Sequence, residues 1–120
     1  MAAGRPLTDP IGEQLVGWGK AAPIETRGRH SGQPRAVAVG FIDEPDGSIL
    51  VAAGESAHWG LNLLADPGCR VTVGERTFEA YAEVLEGDDV ARVVRELILR
   101  YGTPSEGLGA GPAFRLRPVA

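Results

Sequence analysis

The stretch TRGRHSGQPRAVAVGFI at positions 26–42 joins a polar turn rich in cations directly to an alternating strand. The turn holds Arg27, Arg29 and Arg35, and the whole stretch contains no acidic residue. Glycine and proline in the turn favour a tight reversal of the chain. These residues predict a turn that binds an anion, and a solvated hairpin turn without a ligand explains them at least as well.

The strand that leaves this turn has one face of unusually small side chains. Because side chains alternate along a strand, the second face carries Ala36, Ala38, Gly40 and Ile42. Such a face lets a flat ligand or another backbone approach closely. Tight packing within a sheet is the commoner reason for it.

The rest of the chain predicts an antiparallel sheet with a few helices. The expected strands run over 21–26, 35–42, 49–54, 69–73, 77–84 and 113–117. The 35–42 and 49–54 strands should form one hairpin, and the 69–73 and 77–84 strands another, with Val84 facing inward. The expected helices are a short one over 9–19, one over 58–65 capped by Ser56, and one from Asp88 or Asp89 to Tyr101. About six strands with two or three helices indicate an α+β fold with a small antiparallel β-barrel. We expect one domain over 1–120, with a leader and short helix over 1–22, hairpins over 23–84, and a helix and closing strand over 85–120.

Composition narrows the possible partners and compartments. The formal net charge of −4 argues against a nucleic-acid binder, which needs many cations to neutralise phosphates. A single cysteine excludes an internal disulfide and fits a reducing compartment. No apolar run in the first thirty residues is long enough for a signal peptide or an integral membrane segment. We therefore expect a cytoplasmic protein.

The chain carries none of the common catalytic or metal-binding motifs. HExxH, CxxC, GxSxG and the P-loop are missing, so a metal site is not expected. The chemistry of an enzyme of this kind would belong to a bound organic cofactor, which the protein binds and orients. The alternative to an enzyme is an interaction protein: a small barrel whose arginine turn binds the acidic surface of a partner.

Two motifs give the chain a family resemblance. The pattern T-x-G-R-x-S-G-x-P-R at 26–35, followed by an Ala/Val strand, the residues VAA at 51–53 and WGLNLLADP at 59–67, resembles the deazaflavin-dependent nitroreductase family. The resemblance implies a split β-barrel of the FMN-binding type. It also implies hydride transfer from reduced coenzyme F420 to a quinone, a nitroaromatic or another electron-poor small-molecule acceptor. A split-barrel protein that binds F420 or a flavin such as FMN without turnover is the alternative. Split barrels often pair, so a homodimer is possible.

The same resemblance assigns cofactor-binding residues and no catalytic side chain. Those implied for the anionic tail are Arg29, His30 and Ser31; those for the deazaflavin ring are Arg35, Ala36, Val37, Ala38, Val39 and Gly40; those that border the site are Ala52, Ala53, Gly54, His58, Trp59 and Asn62. The chain departs from the family where Gly54-Glu55 replaces a common Ser-Lys, and where His30 replaces a common lysine. It also lacks the tyrosines that follow the long helix in well-known nitroreductases.

Overall fold

The computed structural model describes residues 21–101 and 110–119, and within them the chain forms seven strands and two helices. In chain order the elements are β1 (Ala22–Arg27), β2 (Pro34–Val39), β3 (Ile42–Asp43), β4 (Ile49–Ala52), α1 (His58–Ala65), β5 (Gly68–Val73), β6 (Arg76–Val84), α2 (Asp88–Tyr101) and β7 (Ala113–Pro118). The α+β prediction is confirmed. The strand count exceeds the predicted six because the last part of the predicted 35–42 strand is a separate two-residue strand, β3.

The strand order explains why the sheet curls into a barrel. All neighbours pair antiparallel in the order β2-β1-β5-β6-β7-β4-β3, so β2 and β3 lie at opposite edges. Seven flat strands would place those edges about 29 Å apart, at about 4.8 Å per step. Only Gly40 and Phe41 separate β2 from β3, however, and that link spans at most about 11 Å. The sheet must therefore bend until its edges meet, and the edges stay unpaired with each other.

Tyr101 fixes the break between β2 and β3. Its hydroxyl accepts a hydrogen bond from the Phe41 backbone N–H at 3.1 Å and donates to the Phe41 carbonyl at 3.3 Å. A Cβ at Gly40 would lie 3.0 Å from the ring of Tyr101. The Phe41 backbone thus bonds to a side chain of α2 where a longer strand would have bonded to a neighbour.

The core lies inside the barrel, with a second cluster under α2. Ile24, Val71, Phe114 and Leu116 are fully buried in the interior. β4 is apolar along its length because both of its faces are covered: Ile49 and Val51 belong to the interior cluster, whereas Leu50 packs with Val93 and Leu97 of α2. The buried residues of these two clusters come from the predicted strands and from both predicted helices, with Leu63 on α1 and Val93 and Leu97 on α2.

Several local predictions need correction. The hairpin of the predicted 35–42 and 49–54 strands is limited to β3 and the start of β4, since β2 pairs with β1 and β4 pairs along its whole length with β7. Ser56 is not the cap of α1, because the N-cap position is Ala57 and no side chain caps it. Val84, predicted to face inward, is 49% exposed at the end of β6.

The helices account for the remaining sequence-based expectations. Asp88 and Asp89 lie in the first turn of α2, where carboxylates interact favourably with the helix dipole. The short helix predicted over 9–19 lies outside the described residues. No helix in the described part of the chain is long and apolar enough to span a membrane.

Candidate cofactor-binding site

A cleft of about 640 Å³ opens between β2, the end of β1 and helix α1. Its lining residues are Thr26, Gln33, Pro34, Arg35, Ala36, Val37, Ala57, His58, Trp59 and Asn62. The cleft therefore brings together the two motifs that carried the family resemblance, although they are separated by more than twenty residues in the chain. None of these lining residues is acidic, so Arg35 gives the cleft a positive wall.

Helix α1 lies against the barrel because Gly60 permits a close approach. A Cβ at Gly60 would lie 2.5 Å from the Cβ of Ala53 and 4.0 Å from the ring of Phe114. One residue earlier, the Trp59 ring packs against Phe114 with centroids 6.3 Å apart. Trp59 is half-buried, so it contacts the core with one part and the cleft with another.

Arg29 is held at the border of the cleft by two residues of α1. Its Nη1 donates to Asn62 Oδ1 at 2.8 Å, and its backbone N–H donates to the same oxygen at 3.2 Å. Its Nη2 donates to His58 Nδ1 at 3.3 Å; arginine has no acceptor, so this ring nitrogen is the acceptor. Behind Asn62, its Nδ2 donates to Thr26 Oγ1 at 3.2 Å. The predicted residues Arg29, His58 and Asn62 thus form one network.

The edge of β2 offers peptide groups to the cleft that no described residue bonds. The Gly28 N–H bonds the Gln33 carbonyl at 2.9 Å, so antiparallel alternation makes Thr26 and Arg35 the next hydrogen-bonded pair. The peptide groups of Ala36 and Ala38 lie between such pairs and point away from β1. Among the described strands β2 pairs with β1 alone. Those groups therefore lie on an open edge that small side chains leave accessible.

The remaining residues of the turn shape it or point elsewhere. Gly32 has a φ of +73°, which glycine adopts without strain, and its N–H bonds the Gly28 carbonyl at 2.8 Å. Ser31 Oγ accepts from the Gln33 N–H at 3.1 Å. Arg27 donates to the Gly32 carbonyl and pairs with Asp66 at 3.7 Å. His30 is exposed at the tip. Arg27 therefore pairs with a carboxylate and does not line the cleft.

Nine of the fifteen predicted residues lie outside the lining of the cleft: Arg29 at its border, His30 and Ser31 in the turn, and six others. Val39 is buried in the core, and Gly40 contacts Tyr101. Ala53 is buried behind α1, whereas Ala52 packs against the cluster under α2. Ala38 and Gly54, the other two, are half-buried, and Ala38 continues the open edge of β2 beyond the cleft. The structure places six of the fifteen predicted residues in the lining of the cleft, and all six are on β2 and α1.

Sequence reasoning missed four lining residues, which are Thr26, Gln33, Pro34 and Ala57. Thr26 is the most informative, because it is 2% exposed and its hydroxyl supports Asn62. A signal was available: Thr26 continues the face of β1 that carries Ala22 and Ile24, and Asn62 lies between Leu61 and Leu63 of α1. A buried amide needs a hydrogen-bond partner.

Neither a thiol nor a metal cluster contributes to this site. Burial, reinforced by the charge of Glu79, raises the pKa of the Cys69 thiol to about 12, so it stays protonated within the core. Among the described residues no group of three or more His, Cys, Asp or Glu side chains could hold a metal ion.

Comparisons with known proteins bear on the family and the fold. The profile described as F420H(2)-dependent quinone reductase matches residues 3–104, while a search of curated protein sequences found no match. Among solved structures, an F420-H2 dependent reductase, FDR-A, has a TM-score of 0.66 at 21% identity, with 95% of this chain and 100% of that chain covered.

Two further solved structures share the fold. An F420 reductase has a TM-score of 0.63 at 18% identity, covering 90% of this chain and 93% of that one. HutZ, the heme storage protein from Vibrio cholerae, has a TM-score of 0.67 at 18% identity, covering 96% and 92%. These identities establish the split-barrel fold alone, and the profile, which covers most of the chain, establishes the family. The chain belongs to the F420H(2)-dependent quinone reductase family.

Proposed function

We propose that this protein is an F420H2-dependent reductase whose cofactor binds in the cleft between β2 and α1. The acceptor would be a quinone, a nitroaromatic or another electron-poor small molecule. The observation that carries the proposal is the open edge of β2 inside a positively charged cleft, in a chain of this family.

The residues present fit a deazaflavin with an anionic tail. The N–H and C=O groups of Ala36, which have no partner among the described residues, suit the polar edge of a heterocyclic ring, and the small side chain permits a flat ring to lie close. Arg35 in the wall and Arg29 at the border offer guanidinium groups to a phosphate or a carboxylate. Trp59 adds an apolar surface that excludes water from one side.

The chemistry would come from the cofactor, and the chain would supply binding and orientation. When bound, reduced F420 supplies a hydride to the acceptor. The half-buried β2 edge would fix the plane of the ring, and the arginines would anchor the tail. His30 and Ser31 stay predicted tail contacts, and Ala52 to Gly54 stay a predicted border. A homodimer and a cytoplasmic location also stay predictions.

A titration with F420 tests the binding half of the proposal. We expect the cofactor fluorescence to be quenched on binding, and FMN in a parallel titration to bind more weakly. Arg35→Ala should raise the Kd of F420 by roughly 3- to 10-fold, since an exposed arginine contributes less than a buried one. Arg70→Ala is the matched control, because Arg70 is on β5 and pairs with Glu79 at 2.7 Å. Failure of F420 to bind would refute the proposal.

Turnover tests the enzymatic half. Reduced F420 should be oxidised in the presence of menadione at a rate that depends on the protein and the quinone. F420 binding with no turnover on any quinone or nitroaromatic would assign the chain to cofactor binding without catalysis.

A further inference from the structure

The side-chain amide of Asn62 is buried and bonded on both sides. Asn62 is 4% exposed, although it contributes to the lining of the cleft. Its Oδ1 accepts two hydrogen bonds from Arg29, and its Nδ2 donates to Thr26, which is 2% exposed. Both polar atoms of the amide therefore have protein partners before any ligand arrives.

These contacts hold the guanidinium of Arg29 in one place. Asn62 and His58 lie one helical turn apart on α1, so they present an oxygen and a ring nitrogen on the same face. Arg29 Nη1 bonds the first and Nη2 the second. A guanidinium has five N–H donors, and these two contacts leave others for an anion.

Resting on the proposed function, we infer that Asn62 is a positioning residue for Arg29 and not a contact of the cofactor. With Thr26 behind it, Asn62 holds Arg29 in the rotamer that receives the anionic tail. A long side chain ordered beforehand loses less conformational entropy when the ligand binds. The competing explanation is that Asn62 binds the cofactor directly, because it lines the cleft.

A double-mutant cycle on F420 affinity separates the two explanations. We expect Arg29→Ala to raise the Kd about 10-fold or more, and Asn62→Ala to raise it about 2- to 12-fold. In the double variant the loss should equal that of Arg29→Ala alone, within about 2-fold. If Asn62→Ala raises the Kd by the same factor in the Arg29→Ala background as in the wild type, the inference is overturned. Arg70→Ala again serves as the control that leaves the affinity unchanged.

Shortened cofactors distinguish positioning from general damage to the cleft. With a deazaflavin lacking both phosphate and glutamates, Asn62→Ala should bind as the wild type does. An equal loss with this tail-free compound would contradict positioning. A deazaflavin that keeps the phosphate and lacks glutamates identifies the anion. If Asn62→Ala still weakens binding of this compound, Arg29 contacts the phosphate. If Asn62→Ala weakens binding of the full cofactor alone, Arg29 contacts the carboxylates. Both results support the inference.

A measurement without cofactor keeps this inference separate from the proposed function. In ¹⁵N relaxation, the Arg29 Nε should be ordered in the wild type and mobile in Asn62→Ala. Should F420 not bind, the proposed function fails and this readout still decides the positioning role; equal mobility in both proteins overturns it. Should Asn62→Ala not fold, Thr26→Val removes the acceptor of the Asn62 amide with little change of shape, and Arg29 should again become more mobile.

Discussion

Gly60→Ala is expected to destabilise the protein and displace α1, even though alanine is the better helix former. The added Cβ would lie 2.5 Å from the Cβ of Ala53, whereas carbon atoms in contact are normally about 3.5–4.0 Å apart. The helix must therefore shift by about 1 Å or more. Alanine in a helix gains about 1 kcal/mol over glycine, and overpacking costs about 1–3 kcal/mol. Since both atoms are close to rigid backbone, we place the cost near the upper end and the net loss near 2 kcal/mol.

Urea unfolding followed by circular dichroism measures this loss, and a second substitution supplies the control. Ala53→Gly removes the methyl group that the new Cβ would meet, so Gly60→Ala should cost less in the Ala53→Gly background. The expected coupling energy is about 1–3 kcal/mol. Additive effects, or a Gly60→Ala protein more stable than the wild type by about 1 kcal/mol, would refute the close-approach explanation. Because His58 and Asn62 move with α1, F420 affinity should fall in Gly60→Ala and recover in the double variant.

Two further predictions concern Tyr101 and Cys69. Tyr101→Phe removes both hydrogen bonds to the Phe41 backbone and should lower the free energy of unfolding by about 1–3 kcal/mol. Tyr81→Phe is the control and should have little effect, because the Tyr81 side chain is 57% exposed. Equal losses of the two variants in urea unfolding would exclude the proposed role of the Tyr101 hydroxyl. Because burial raises the pKa of Cys69, the unfolded chain loses the thiol proton at a lower pH than the folded protein does. The free energy of unfolding should therefore fall as the pH rises from about 9 toward 12, and it should fall by less in Cys69→Ala. Parallel pH profiles of the two proteins would count against the burial of this thiol.

Two carboxylates with lowered pKa values, Glu83 and Asp46, predict that the protein loses stability as the pH falls in the acidic range. A hydrogen bond from Arg117 lowers the pKa of Glu83, and hydrogen bonds within the Ser48 turn lower that of Asp46. A depressed carboxyl pKa contributes stability above its unfolded value of about 4, and this is lost as pH falls through the folded pKa. Glu83→Gln should therefore flatten the stability profile below about pH 4, as measured by thermal unfolding; an unchanged profile would exclude the contribution of this carboxylate.

The sequence by itself determined most of the secondary structure and predicted the two motifs that meet at the cleft. Period-2 alternation located the strands, the 3.6-residue period located α2, and glycine with proline marked the turns, because these signals act over a few residues. The motifs at 26–35 and 59–67 indicated the family. They could not show that Arg27 turns toward Asp66, since a charge alone does not indicate which partner it meets.

Only the tertiary structure decided how those halves meet. The two-residue link through Gly40 and Phe41 curls the sheet, and the contact of Gly60 with Ala53 seats α1 beside β2. Those long-range contacts place Asn62 between Thr26 and Arg29, thirty-six and thirty-three residues away along the chain. Local patterning contains no information about such pairs, because they depend on strand order and on helix packing. The role of Asn62 as a support for Arg29 is visible only once both partners are in place.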